Sequence, residues 1–197
     1  MSNYRDQLES YLKTLDIKAD RVLDVGGAAK PVKDRVKDWQ VKEYHILDNG
    51  LEERDQSHII DYTFDINFEW PDRSNDVNPY RENYDYVFCL EVFEYVFNPI
   101  QAIKNLYSVL KPKGILYITF PFIYPIHEPK DYDYLRYTKT GVIKLLEMAG
   151  FKILEIPRVM NLKGFEYWKE FIKAEGMHAA KGINHNELGW IIKCVKV

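Results

Sequence analysis

Three groups of residues in this chain have types and spacing suited to chemistry: a glycine pair behind an acid, carboxylates closing apolar runs, and a histidine in a tyrosine-rich loop. The first lies in Arg21-Val-Leu-Asp24-Val-Gly26-Gly27-Ala28-Ala29-Lys30-Pro31, where a strand-like run breaks into a glycine turn before a helix-compatible segment. Glycines lack the Cβ that would hold a ligand off the backbone, and the N–H groups at a helix start have no partners within the helix. An α/β sheet presents a nucleoside site in this way. Asp48 ends the run Glu43-Tyr-His-Ile-Leu47, roughly twenty residues after the turn, where a carboxylate can accept both hydroxyls of a ribose. Each acid also has a structural role open to it: Asp24 as a cap, Asp48 in a turn with Asn49, Asp65 as a solvated carboxylate.

The histidine is His127, in Tyr124-Pro-Ile-His127-Glu-Pro-Lys-Asp131-Tyr-Asp133-Tyr-Leu-Arg136-Tyr137-Thr138. An imidazole can move a proton near neutral pH, and the alternative is that it only bonds the loop backbone. The Arg136 guanidinium can grip a phosphate or carboxylate as a fork, or pair with Asp131 or Asp133 and lock the loop. Tyr124, Tyr132, Tyr134 and Tyr137 offer faces that pack on a sugar or another ring. The spacing of His127 and these aspartates matches no recognised ligand set, so no metal is expected.

The elements that must position these groups alternate. Tyr4, Leu8, Tyr11, Leu12 and Leu15 recur at helical spacing within 1–18. Strands are predicted at 21–25 and 43–47, with a helix between them starting near Pro31 and a solvated charged face over Lys30 to Lys42. Further strands are predicted at 58–64, 84–90, 115–120, 151–157 and 189–197. Asn98-Pro99 opens a helix with an apolar stripe of Ile100, Ile103, Leu106, Val109 and Leu110; Thr140 and Gly141 precede another with Val142, Leu145, Leu146 and Ala149 inward. This order predicts a single α/β domain, 1–197, built on a doubly wound, mostly parallel sheet with ligands beyond the carboxyl ends of its strands. The stretch 160–188, where Phe165, Trp168, Phe171 and Ile172 share a helical face, reads either as a packing or dimerisation helix or as a lid over a substrate.

At 197 residues and 46% hydrophobic content the chain suits one core. A formal charge of −3 gives no general attraction to polyanions, which disfavours nucleic acid. Cys89 and Cys194 sit in apolar runs and read as small packed hydrophobes, which fits the cytoplasm. No apolar run is long enough to suggest a membrane span.

The glycine turn, Asp48, Asp65-Ile66, the strand Tyr84-Asp-Tyr-Val-Phe-Cys-Leu90, then Glu91-Val-Phe-Glu94-Tyr95-Val96 and Leu110-Lys-Pro-Lys-Gly114-Ile-Leu-Tyr-Ile-Thr-Phe120 occur in an order that resembles the class I S-adenosylmethionine-dependent methyltransferases. The resemblance covers roughly residues 20 to 157, and its loop from Tyr124 to Thr138 is similar to a small-molecule and saccharide branch of that superfamily. It implies a Rossmann-like sheet of seven strands with the last antiparallel, and S-adenosylmethionine as the cofactor. Asp24, Gly26, Gly27 and Ala28 would face its methionine part, Asp48 and Asn49 the ribose, Asp65 and Ile66 the adenine, and Leu90 and Glu91 its other side. His127 would be the base for a hydroxyl acceptor, with Glu94 and Tyr95 as alternatives; Tyr124, Arg136, Tyr137 and Trp168 would bind a small-molecule or carbohydrate-linked acceptor. A homodimer is left open.

Two departures stand out: the glycine-any-glycine loop reads Gly26-Gly27-Ala28, and Tyr95 replaces a histidine common after the fourth strand. They keep a noncatalytic adenosine-binding protein with a partner helix in play. A nicotinamide dehydrogenase lacks support without the full glycine fingerprint. Leu90-Glu91-Val92-Phe93 stands where nucleobase amino methyltransferases carry an Asn-Pro-Pro-Tyr-like tetrapeptide.

Overall fold

A computed structural model describes residues 3–50, 60–70, 83–160 and 187–197. Helix α1 (Asn3–Leu12) leads into β1 (Asp16–Val25), then β2 (Asp38–Asp48), β3 (Tyr62–Thr63) and β4 (Tyr84–Cys89). Helix α2 (Pro99–Val109), β5 (Leu110–Pro121), α3 (Lys139–Met148), β6 (Phe151–Glu155), β7 (Arg158–Met160) and β8 (Glu187–Lys196) complete the described chain.

The strands form one mixed sheet in the order β3-β2-β1-β4-β5-β8-β6, with the short β7 also paired to β8. β1 to β5 are parallel neighbours, whereas β8 runs antiparallel to β5, β6 and β7. The expected Rossmann-like arrangement is therefore present, with β7 an addition to the seven predicted strands. Order reverses between β1 and β4, and a cleft opens there beyond the strand ends.

Each face of the sheet carries its own core. On one, Tyr4, Leu8 and Leu12 of α1 pack with Val22, Phe88, Leu90 and Ile191. On the other, Ala102, Ile103, Leu106 and Val109 of α2 and Val142 and Leu146 of α3 pack with Leu23, Val87, Leu116 and Trp190. The helix after Asn98 starts as its sequence indicates, because the Asn98 side chain accepts from Gln101 N at 3.4 Å and Pro99 needs no partner for its nitrogen. Ile100, predicted inward, is 53% exposed, and Ala102 takes its place in the stripe.

The connection after β1 corrects the sequence reading. No helix follows Pro31: Val32–Asp34 make a single 3-10 turn, and the chain enters β2 at Asp38. Parallel strands need about a dozen residues or more to cross over, and 26–37 is near that minimum, so little chain is left for a helix. The charged run Lys30 to Lys42 is thus a turn followed by a strand in which Trp39 and Val41 alternate with exposed residues. The N-terminal helix is likewise shorter than 1–18, since β1 begins at Asp16. Residues 161–186, with the proposed lid and Trp168, lie outside the described residues.

Candidate active site

The parallel strands end at a cavity of about 530 Å³, lined by Gly26, Ala28, Asp48 and Asn49, by Asp65 and Ile66, by Leu90 and Glu91, and by His127. These nine sequence-predicted residues thus meet around one space, carried there by four strand ends and the loop after β5.

The glycine turn is locked from both sides. Gly26 has φ +77 and donates to Leu47 O at 2.8 Å, and a Cβ there would collide with Val92 Cγ2. A Cβ on Gly27 would run into the Asp24 carboxylate. Asp24 itself is buried beneath the turn, where its Oδ2 accepts from Val32 N at 2.7 Å and from the Tyr44 hydroxyl at 2.5 Å. Burial pushes its carboxyl up to about 6 against those two donors. Asp24 therefore shapes the turn from below, and neither it nor Gly27 lines the cavity.

On the next strand, Asp48 accepts from Ala28 N and from Gly50 N, each at 3.4 Å. Asp65 Oδ1 takes the backbone and side-chain nitrogens of Asn67 at 2.9 and 2.8 Å. Asn105 of α2 pins the same loop by donating to Ile66 O at 3.0 Å and Phe68 O at 2.7 Å. Glu91 adopts a left-handed φ of 56, and its N–H donates to Thr119 Oγ1 at 2.7 Å. A non-glycine residue held there stores strain beside a ligand site.

The acceptor side is built differently from expectation. Arg136 bonds Asp133 through both terminal nitrogens and donates to the carbonyls of Tyr124 and Pro125 at 3.2 and 2.9 Å. That guanidinium holds the Asp133 carboxyl below its ordinary value and fastens the loop. Tyr137 is a core residue: it is 8% exposed, its hydroxyl donates to Phe93 O at 3.1 Å, and its ring meets Phe93 and Phe120. Tyr124 packs on Tyr4 with ring centroids 5.2 Å apart. None of these three lines the cavity, because their polar atoms and rings are engaged elsewhere.

Their place is taken by Tyr95, Tyr132 and Tyr134, which the sequence also offered, and by Arg5, Phe68 and Phe97, which it did not. Arg5 of α1 reaches the cavity, with its Nε 3.0 Å from Glu91 Oε1 and a terminal nitrogen 3.3 Å from His127 Nε2. Tyr95 bonds His127 Nδ1 and donates to Glu128 O at 2.7 Å. Phe68, Phe97 and Tyr134 stand at the rim, 59%, 50% and 45% exposed, in edge-to-face contact at 5.9 and 5.8 Å. Sequence periodicity places Tyr4 and Leu8 inward on α1; the position of Arg5 beside that stripe was the available signal. Among the described residues no group of three His, Cys, Asp or Glu side chains could hold a metal, and no helix is long and apolar enough to cross a membrane.

A reversal of strand order, a glycine turn and acids on successive strand ends define an α/β protein that binds a nucleoside-bearing cofactor. Residues 2–156 match the family described as a methyltransferase domain, and the chain belongs to that family. It is a class I S-adenosylmethionine-dependent methyltransferase. No curated protein sequence matches it. Its fold is similar to an S-adenosylmethionine-dependent methyltransferase from Mesorhizobium loti, at 12% identity and TM-score 0.61 over 99% of this chain and 98% of that one. The N-methyltransferase NodS from Bradyrhizobium japonicum WM9 gives 16% and 0.60 over 98% and 96%. Phosphoethanolamine N-methyltransferase 2 from Haemonchus contortus, in complex with S-adenosyl-L-methionine, gives 14% and 0.57 over 96% of this chain and 52% of that one.

Proposed function

We propose that the chain methylates a hydroxyl on a small-molecule or carbohydrate-linked acceptor, with His127 as the base. The observation that carries this reading is the presence of an imidazole in the wall of the cavity that the glycine turn and the exposed aromatics Phe68, Phe97 and Tyr134 also line. The cofactor, when bound, supplies an electrophilic methyl group on a sulfonium.

This chain's residues fit that group. Gly26, held at a left-handed φ against Val92, brings bare backbone to the cavity wall, Asp48 offers oxygens to a ribose diol, and Ile66, Leu90 and Val96 supply apolar surface for the base. Both bonds from Asn67 fall on Asp65 Oδ1, which keeps Oδ2 for a donor on the adenine. Glu91 places a negative charge beside the space for the sulfonium.

Methyl transfer gains most from alignment, with the nucleophile held about 3 Å from the methyl and in line with the departing sulfur. The faces of Phe97, Tyr134 and Phe68 suit a ring on the acceptor, and His127 takes its proton. Incubating the chain with S-adenosylmethionine and a panel of sugars, glycosides, phenols and amines tests this. The expected result is S-adenosylhomocysteine with an O-methylated product; transfer confined to amines would overturn the hydroxyl assignment.

A further inference from the structure

Glu94, in the 3-10 turn Phe93–Tyr95 after β4, is 5% exposed, and its Oε2 has no hydrogen-bond partner among the described residues. A carboxylate in such a place costs energy unless a neighbouring charge offsets it. Its Oε1 lies 3.6 Å from His127 Nδ1. On the opposite edge of the ring stands the Arg5 guanidinium, 3.3 Å from Nε2. A guanidinium can only donate, so Nε2 accepts, and the neutral ring carries its hydrogen on Nδ1, facing Glu94 and Tyr95. The Tyr95 proton is directed at Glu128 O, which turns the hydroxyl oxygen toward that hydrogen.

We infer that Glu94 is a positioning residue for His127: together with the Tyr95 hydroxyl bonded to Nδ1 it keeps the ring's proton on that nitrogen, so that Nε2 meets the acceptor once the acceptor hydroxyl takes the place of Arg5 there, and it balances the imidazolium that forms when Nε2 takes a proton. This rests on the reading of His127 as the base. In the step, the acceptor O–H bond breaks as the O–CH₃ bond forms, the methyl–sulfur bond breaks with its electron pair left on sulfur, and the proton goes to Nε2. One positive charge therefore leaves the sulfur and one appears on the ring. A counter-charge beside the ring assists that shift where one beside the sulfur cannot.

Among the described residues the other charges around the ring are already matched. Arg5 of α1 pairs with Glu91 of the segment after β4, and in the ring's own loop Asp133, which accepts from His127 N at 2.5 Å, is held by Arg136. Tyr95 and Tyr124 present only hydroxyls and rings. Among the described residues Glu94 is the acid left for the imidazole, and burial pushes its carboxyl up to about 7, where it can be present in either form.

Nitrogen-15 NMR of the full chain with labelled histidine, saturated with S-adenosylhomocysteine, reads the tautomer and titration of His127 without an acceptor; His127→Gln assigns the signal. The expected result is hydrogen on Nδ1, with a titration midpoint that falls by about one pH unit or more in Glu94→Gln. Glu94→Asp, which retreats from the ring but keeps the charge, should fall between, and it decides the matter if Glu94→Gln does not fold. Hydrogen on Nε2, or midpoints in the folded variants within about 0.2 unit of the natural chain, would overturn the inference. Failure of His127 as the base reads differently: normal methyl transfer by His127→Ala, with the NMR coupling to Glu94 intact.

Discussion

The guanidinium of Arg5 stands 3.3 Å from Nε2 of His127, a residue 122 positions away in the chain. One helical turn further on, Glu9 pairs with Lys30 at 2.5 Å and with Arg35 at 2.9 Å, both beside the glycine turn. Burial works to raise the Glu9 carboxyl, yet bonds from Lys30 and Arg35 hold it below its ordinary value. Helix α1 thus clamps the cavity at both ends, on a face of the sheet where β1 passes to β2 without a helix of its own. Removing Arg5 tests one end. Arg5→Ala deletes a half-exposed pair, worth about 0–1 kcal/mol of stability, while the loss of a fixed cation should raise the titration midpoint of His127. Urea denaturation and the same histidine NMR check this; an unchanged or lower midpoint would show that Arg5 does not act on the ring.

Tyr44→Phe removes the hydroxyl that donates to the buried Asp24 carboxylate at 2.5 Å. Bonds to charged groups are worth about 1.5–3 kcal/mol, and the loss should show at that scale in denaturant unfolding. Because Asp24 also holds Val32 N, cofactor affinity should fall with it. A variant as stable as the natural chain would mean that Asp24 is protonated and needs no such donor.

Gly26→Ala meets two obstacles, the left-handed φ of +77 and the Val92 side chain. A cost of about 1–3 kcal/mol is expected from the backbone alone, together with weaker S-adenosylhomocysteine binding, read by thermal unfolding with and without ligand. Unfolding and ligand-induced stabilisation equal to those of the natural chain would contradict the tight turn.

Two buried acids tie stability to pH. Asp24 and Glu94 are raised to about 6 and about 7 from ordinary values of 3.8 and 4.5. The folded chain therefore binds more protons than the unfolded one in that window. Their contribution is full at low pH and is lost as pH rises through 6 to 7. Acids held low by partners, Glu9, Asp85 and Asp133, act the other way, but below the ordinary carboxylate range. Unfolding free energy should therefore fall between pH 5 and 8, by less in Glu94→Gln. A slope of the opposite sign would contradict the burial of both carboxyls.

Much of this was legible in the sequence, and the exceptions have a common cause. Strand ends closing on acids put Asp48, Asp65 and Glu91 around one cavity, since period-two patterning and parallel topology carry every such end to the same side. The helix expected after Pro31 does not form: Trp39 and Val41 alternate as a short strand signal that the charges around them mask in the sequence. The clamp of Arg5 on His127 depends on α1 crossing the sheet, and no local spacing encodes so distant a meeting. Arg136 had two readings as a residue type, and packing chose between them by fastening it to Asp133; Tyr137, expected at the acceptor, is instead buried on Phe93 and Phe120, which its residue type alone does not show.

The central claim is that this cavity holds S-adenosylmethionine with its ribose on Asp48. Calorimetric titration of the full chain with S-adenosylhomocysteine, beside Asp48→Ala, tests it most directly. The account predicts one-site binding to the natural chain and a loss of about 1.5–3 kcal/mol in the variant, the scale of charged hydrogen bonds to two hydroxyls. Absence of binding to a folded natural chain, or equal affinity in Asp48→Ala, would contradict it.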